Sequence, residues 1–130
     1  MKFLQPPNWP RPKGYSSGVA VKGAMVFLSG MVGWDAQGRF TSSDFTAQVR
    51  QALLNIVEVL READAKPEHI ARMTWYVLDK NEYLAAAKTM GAVYREIIGR
   101  HYPAMSVVEV SGLLESAARV EIEVTAVVPD

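Results

Sequence analysis

Residues 102–110 read YPAMSVVEV, a short segment that predicts a buried β-strand entered through a turn at Pro103. Apolar side chains occupy both alternating faces of this strand, so both faces need cover in the folded protein. The chain offers two amphipathic helices, which together can cover only one face of a sheet. We therefore expect a sheet with helices on one side and a second copy of the chain, in a homo-oligomer, on the other.

A long amphipathic helix is predicted upstream of this strand. Thr41 and Asp44 have the three-residue spacing of a capping box, and the helix should end near Asp64, before Pro67. Apolar residues between these limits recur every three or four positions and so share one face: Phe45, Val49, Leu53, Ile56, Leu60 and Ala63.

The remaining pattern gives the order strand, strand, helix, strand, helix, strand, strand. Two short strands flank a turn at Lys22–Gly23, and residues 70–79 form a third strand. Asn81 is the predicted cap of a second helix, which runs to Pro103. In the last strand, residues 118–128, Val120 and Ile122 point to one face while Glu121 and Glu123 point to the other. Residues 1–17, rich in proline, are expected to be an extended, irregular lead-in to a single domain spanning residues 1–130.

Composition narrows the classes of function. Acidic and basic residues balance at 14 each, which gives no electrostatic reason to expect nucleic acid or an anionic membrane as partner. The chain has no cysteine, so disulfides, thiolate nucleophiles and cysteine-rich metal sites are excluded. Without an apolar run of about 18 residues or a signal-peptide core, a cytoplasmic protein is expected.

Few residues suggest chemistry by themselves. The two histidines, His69 and His101, stand at element ends without metal-ligand spacing, and no glycine-rich phosphate loop is present. Glu121 and Glu123 share one face of a strand. If solvent covers that face they are solvated carboxylates; if a subunit covers it, burial raises a carboxylate pKa and suits it to acid–base catalysis.

Four segments occur in an order that resembles a known family. They are residues 12–30 (PKGYSSGVAVKGAMVFLSG), 48–65 (QVRQALLNIVEVLREADA), 102–110 (YPAMSVVEV) and 120–128 (VEIEVTAVV). Together they are similar to the Rid family (YjgF/RidA, also named L-PSP endoribonuclease) over nearly the whole chain. The resemblance implies a chorismate-mutase-like α+β fold, a mixed sheet with two helices on one face, in a homotrimer with small-molecule sites in the clefts between subunits.

The resemblance also implies an activity. Characterised members hydrolyse reactive enamines and imines to a keto acid and ammonia, without a metal or other cofactor. Glu121 matches the family glutamate that positions or activates the attacking water, once one extra residue is allowed in residues 111–119. Tyr15 matches a substrate-binding tyrosine, with Lys13 where the family has proline, and Ser29–Gly30 match its Ser-Gly.

Three further positions are expected to bind substrate: Met31 and Met105 differ from the family pattern, and Ser106 is the neighbour of Met105. Met31 stands where the family commonly has glutamine. Met105, followed by Ser106, replaces the arginine that pairs with the substrate carboxylate. A thioether cannot make that bidentate pair, and its loss costs on the order of 2–5 kcal/mol of recognition. Lys13 or Arg119 could supply the missing cation.

Three functions follow as hypotheses. The first is hydrolysis of a small imine or enamine that is not anchored by a carboxylate next to the reacting carbon. The second is a non-catalytic trimer that binds a small apolar metabolite, suggested by the loss of the arginine at Met105. The third, ribonuclease activity, rests on the older family name and is disfavoured by the balanced charge.

Overall fold

The computed structural model describes the whole chain, Met1–Asp130, as three α-helices and seven strands. The elements in chain order are β1 (Lys2–Leu4), β2 (Gly18–Ala20), β3 (Gly23–Phe27), β4 (Met31–Val32), α1 (Phe45–Arg61), β5 (Ile70–Val77), α2 (Lys80–Ala85), α3 (Ala87–Ile97), β6 (Ala104–Glu109) and β7 (Val120–Pro129). A 3₁₀ turn, Pro67–His69, leads into β5. None of the three helices combines the length and the hydrophobicity that crossing a bilayer demands.

The main sheet is mixed, as expected. Its strands run in the order β3, β7, β5, β6, and the short β4 also pairs with β7. The β5–β6 pair is parallel, whereas the pairs that involve β7 are antiparallel. The strand predicted at residues 104–110 is therefore an edge strand, which a parallel connection through α2 and α3 places beside β5. The predicted α+β fold is confirmed.

Helices α1 and α3 cover one face of this sheet and form the core with it. The predicted alternation along β7 is confirmed, since Val120, Ile122 and Val124 are buried in that core and Glu121 is only half-buried on the other face. The α1 stripe is also confirmed apart from Ala63, which lies beyond the last helical residue. The core residues of α1 are Phe45, Val49, Ala52, Leu53, Ile56 and Leu60.

The opposite face of the sheet has no helix on it. Phe27 and Met25 leave 70% and 60% of their surface exposed, and Val108 on β6 is also exposed. Apolar groups of this size are expensive to leave in water. The uncovered face is therefore a surface on which another molecule can pack.

Both predicted helix caps were wrong by two or three residues. The cap of α1 is Asp44 rather than Thr41, because its carboxylate accepts a 2.9 Å hydrogen bond from the backbone N–H of Ala47. The cap of α2 is Asp79 rather than Asn81, whose own backbone N–H donates to the Asp79 carboxylate. Both carboxylates also lie at the positive end of a helix dipole.

The second helix is not continuous as predicted. It breaks at Ala86, which leaves the helical conformation (φ −89°, ψ 1°) and separates α2 from α3. Tyr83 of α2 packs edge-on against the rings of Phe45 and Trp75, while Tyr94 of α3 is buried in the same core. Tyr83 and Tyr94 therefore both pack against the core, on either side of this break.

The N-terminal lead-in is also more ordered than predicted. Lys2–Leu4 pairs antiparallel with Gly18–Ala20, so the chain begins with a strand and the prolines lie in the loop between the two strands. At the end of this loop Ser16 donates from its backbone N–H to the carbonyl of Pro103 at 3.0 Å, and from Oγ to the carbonyl of Tyr102. These hydrogen bonds connect the lead-in to the residues that precede β6.

Gln48 is the one fully buried polar side chain, and its loss should weaken the fold. It donates to the carbonyls of Ser42 and Ala117, both at 3.0 Å, and accepts from the backbone N–H of Arg119 at 2.8 Å. Gln48→Ala leaves these groups unpaired, so we expect a loss of about 2–4 kcal/mol in the free energy of unfolding. Urea denaturation at one protein concentration measures it. The control Gln37→Ala, at an exposed glutamine whose side chain makes no hydrogen bond, should cost under about 1 kcal/mol; an equal loss in both would contradict this assignment.

Candidate active site

A cavity of about 650 Å³ lies on the helix side of the sheet, between α3 and the edge strand β6. It combines an aromatic wall with two cations. Its residues are Lys13, Gly14, Tyr15, Trp75, Tyr83, Ala87, Met90, Gly91, Tyr94, Arg95, Tyr102, Met105 and Val107. A cavity of this size and apolar character is typical of a small-molecule site.

Met105 lies in this cavity because of its register in the sheet. It pairs with Met73 on β5, which in turn pairs with Val124 on β7. Paired residues point to the same face of a sheet, and Val124 and Met73 are buried in the helix-covered core. Tyr15 joins Met105 in the cavity because Ser16, the next residue, is fastened to the backbone of Tyr102 and Pro103.

Glu121 lies on the opposite, uncovered face of the sheet. It pairs with Tyr76 on β5 and with Val32 on β4. A β-carbon at position 30 would collide with the Glu121 carboxylate, so glycine there lets the carboxylate lie directly against the backbone. Ser29, exposed, precedes that glycine. The structure therefore brings Ser29, Gly30 and Glu121 together.

The predicted site residues thus form two clusters on opposite faces of one sheet. Tyr15 and Met105 belong to the cavity, while Ser29, Gly30 and Glu121 belong to the uncovered face. The sheet backbone separates them, so one copy of the chain cannot place Met105 and Glu121 around the same small molecule. A second copy is needed to bring a carboxylate to the cavity.

Ser106 and Met31 do not join the cavity of their own chain. Ser106 pairs with Thr74, which pairs with Glu123, and so it points to the uncovered face. Met31 is partly buried against the hydrophobic core. Their substrate-binding role stays a prediction.

Of the two cations expected to replace the arginine, only Lys13 lines the cavity. Arg119 is held elsewhere, because its Nε and Nη2 donate to the Glu82 carboxylate at 2.8–3.0 Å. These hydrogen bonds raise the pKa of the Arg119 guanidinium. Arg119 therefore does not line the Met105 cavity of its own chain, and Lys13 is the alternative that the structure favours.

Sequence reasoning missed five residues of the cavity wall and rim. Trp75 lies in a predicted strand and the three cavity tyrosines 83, 94 and 102 lie in a predicted helix and turn, and none of these patterns predicts a cavity. Arg95 carried no signal, because only the packing of α3 beside β6 brings its side chain to the cavity. Burial raises the pKa of Tyr94 and of Tyr83, so both phenols are neutral near pH 7.

The histidines fulfil structural roles. His101 Nε2 lies 2.7 Å from the carbonyl of Ile70, and His69 Nδ1 accepts from the backbone N–H of Lys66 at 3.0 Å. No three acidic or histidine side chains lie close enough together to hold a metal ion.

Known proteins resemble the chain along its length. The family model described as Endoribonuclease L-PSP matches residues 9–128. The 2-iminobutanoate/2-iminopropanoate deaminase of Salmonella typhimurium is 33% identical over 130 residues, covering 97% of each chain. Two solved structures cover 98% of both chains: the Rid protein YyfB of Yersinia pestis (30% identity, TM-score 0.84) and the YjgF gene product of E. coli (31% identity, TM-score 0.71).

Proposed function

The chain belongs to the Endoribonuclease L-PSP family, the Rid/YjgF proteins, and from this premise we propose that it is a deaminase of a small reactive imine or enamine. Relatives of human, bovine and bacterial origin carry the name 2-iminobutanoate/2-iminopropanoate deaminase. The observation that carries the proposal is the Glu121 carboxylate, half-buried against Gly30 on an otherwise uncovered sheet face.

The proposed enzyme is a homotrimer whose sites lie between subunits. The exposed Phe27, Met25 and Val108 give the uncovered face an apolar surface that a second copy can bury. The separation of the two clusters supports the same arrangement, because only a neighbouring copy can bring Glu121 to the Met105 cavity. Light scattering should report three chains per particle, and a monomer at micromolar concentration would contradict the assembly.

The proposed reaction needs water and one proton relay. An enamine first tautomerises to the imine. The Glu121 carboxylate accepts a proton from water as the water oxygen bonds to the carbon of the protonated imine, and it then returns this proton to the nitrogen of the resulting carbinolamine. Loss of that nitrogen as ammonia, with the hydroxyl proton returned to solvent, leaves the ketone. One imine and one water therefore give one carbonyl product and one ammonia.

Met105 limits the kind of imine that the proposed site can bind. The position where relatives pair a cation with the substrate carboxylate here holds a half-buried thioether. A carboxylate bound beside the thioether would lose water without gaining a bidentate partner there, which is unfavourable, because the two cations of the cavity, Lys13 and Arg95, are exposed side chains. The preferred imine therefore carries no carboxylate next to its reacting carbon.

The test compares imines with and without that carboxylate. Imines are generated in solution from the matching amines or amino acids, and ammonia and ketone are measured together. We expect catalysed release in a one-to-one ratio, faster for imines without the neighbouring carboxylate. Release at the uncatalysed rate for every imine in the panel would reject the deaminase proposal.

The second candidate is a trimer that binds a small apolar metabolite without converting it. The apolar lining of the cavity, nine hydrophobic residues of 13, favours it. A ligand recovered unchanged after stoichiometric binding, and displaced in Met105→Arg, would support this function. Its turnover would reject it. Ribonuclease activity has the support of the family name alone.

A further inference from the structure

We propose that the cavity selects an imine with an aromatic body and an anionic group distant from the reacting carbon, held at the rim by Arg95 and Lys13. This inference rests on the deaminase proposal and names the substrate class of that site. Charge, unpaired donors and the shape of the cavity each contribute to it.

The cavity carries two positive charges and no negative one. Arg95 and Lys13 are exposed, and they are the only residues in its lining that are charged near pH 7. Neither takes part in any of the four salt bridges of the chain, nor in any side-chain hydrogen bond. Two unpaired cations at one opening produce a positive potential that attracts an anion.

Gly91 leaves space for the Arg95 side chain at this opening. The two residues are one helical turn apart in α3 and both line the cavity. The guanidinium Nη1 lies 3.3 Å from the position that a β-carbon of residue 91 would occupy. Because Gly91 has no side chain, the guanidinium can lie back over the helix surface toward the cavity rather than extend into solvent.

The wall of the cavity contains a buried N–H group that has no hydrogen-bond acceptor. Trp75 is only 2% exposed, and its indole Nε1 is the one buried side-chain N or O atom with no hydrogen-bond partner. A buried unpaired N–H costs about 1–3 kcal/mol, and Trp75 lines the cavity. Because Nε1 has less than 1 Å² of accessible surface, a ligand oxygen would accept from it only when binding turns the indole toward the cavity.

The walls are suited to a flat apolar body. Trp75 and Tyr83 meet edge-on with ring centroids 6.1 Å apart, and Tyr94 and Tyr102 are stacked at 5.7 Å. Aromatic rings pack favourably in both geometries. The volume of about 650 Å³ is within the range of sites for drug-sized ligands and far exceeds the need of a four-carbon imino acid.

Binding of a stable ketone tests this selectivity without any turnover. The probes are 4-oxo-4-phenylbutanoate, which carries a distant carboxylate, and its neutral amide, titrated calorimetrically at pH 7.5. We expect the acid to bind about tenfold more tightly than the amide, a preference that should weaken at high salt. Arg95→Gln should reduce the preference to about threefold, and the double variant Arg95→Gln/Lys13→Gln should abolish it, with affinity for the amide unchanged.

Arg100→Gln is the matched control, because Arg100 is an exposed arginine just beyond α3 that does not line the cavity. It should keep the full preference. Equal binding of acid and amide by the unaltered protein would overturn the inference, as would an equal loss of both ligands in Arg95→Gln. The ketones release no ammonia, so their binding does not depend on whether Glu121 is catalytic. Failure of this binding test would therefore overturn the inference and leave the deaminase proposal untouched.

Discussion

Replacing Glu121 with glutamine is expected to lower the rate of ammonia release by about 10²–10⁴-fold, the usual contribution of a positioned general base. Glutamine keeps the size of the side chain and its contact with Gly30 but cannot accept a proton from water. The loss should therefore appear in kcat, while ketone binding stays within a few-fold. Steady-state kinetics and calorimetry on the same preparation measure the two quantities.

Glu123→Gln provides the matched control for that variant. Glu123 lies two residues away on the same face of β7 and accepts a 2.6 Å hydrogen bond from the Tyr76 hydroxyl, which an amide oxygen can also accept. We expect nearly full activity. Equal activity of Glu121→Gln and the unaltered protein would remove Glu121 from the mechanism.

The second large effect is a gain of function at Met105. Met105→Arg places a guanidinium in the cavity, where it can pair with the carboxylate of a small 2-imino acid. A charge-assisted pair of this kind contributes on the order of 2–5 kcal/mol, so kcat/KM for 2-iminobutanoate should rise about 30-fold or more. The cavity is open and Met105 is only half-buried, so the charged head can stay hydrated in the unliganded protein.

Met105→Leu distinguishes charge from a change of packing. Leucine keeps the position apolar and should bring no gain toward 2-iminobutanoate. If Met105→Arg folds, assembles and gains no more than the leucine variant, the residue at 105 does not control recognition of the carboxylate.

The periodic spacing of apolar residues predicted much of the fold and part of the site. The three-to-four spacing from Phe45 to Leu60 predicted the buried face of α1, and the alternation along β7 placed Glu121 opposite Ile122. Both depend on local geometry that a sequence displays directly. The capping residues were harder to predict from the sequence, because Asp44 and Asp79 each have a polar neighbour that could cap the helix as well.

Other features depend on contacts between distant segments. The break at Ala86 lies in a run of good helix formers, so the residue types there do not predict it. Gln48 is not part of the predicted apolar face of α1, and its burial depends on hydrogen bonds with three backbone groups outside the helix. Arg95 reaches the cavity only because α3 packs beside β6. The pattern of residue types along a chain does not predict such contacts.

Each proposed active site takes its cavity from one subunit and its carboxylate from another. Two variants should each be nearly inactive alone: Glu121→Gln, which lacks the base, and Ala87→Trp, which fills the cavity from an exposed position on α3. Mixed at equal amounts, unfolded and refolded together, their subunits combine at random, so about a quarter of the sites receive an intact cavity and an intact carboxylate.

Ammonia release by the refolded mixture is the measurement that tests this claim. We predict about a quarter of the activity of the unaltered protein refolded in the same way. Activity no higher than the mean of the two separately refolded variants would show that cavity and carboxylate do not meet across subunits.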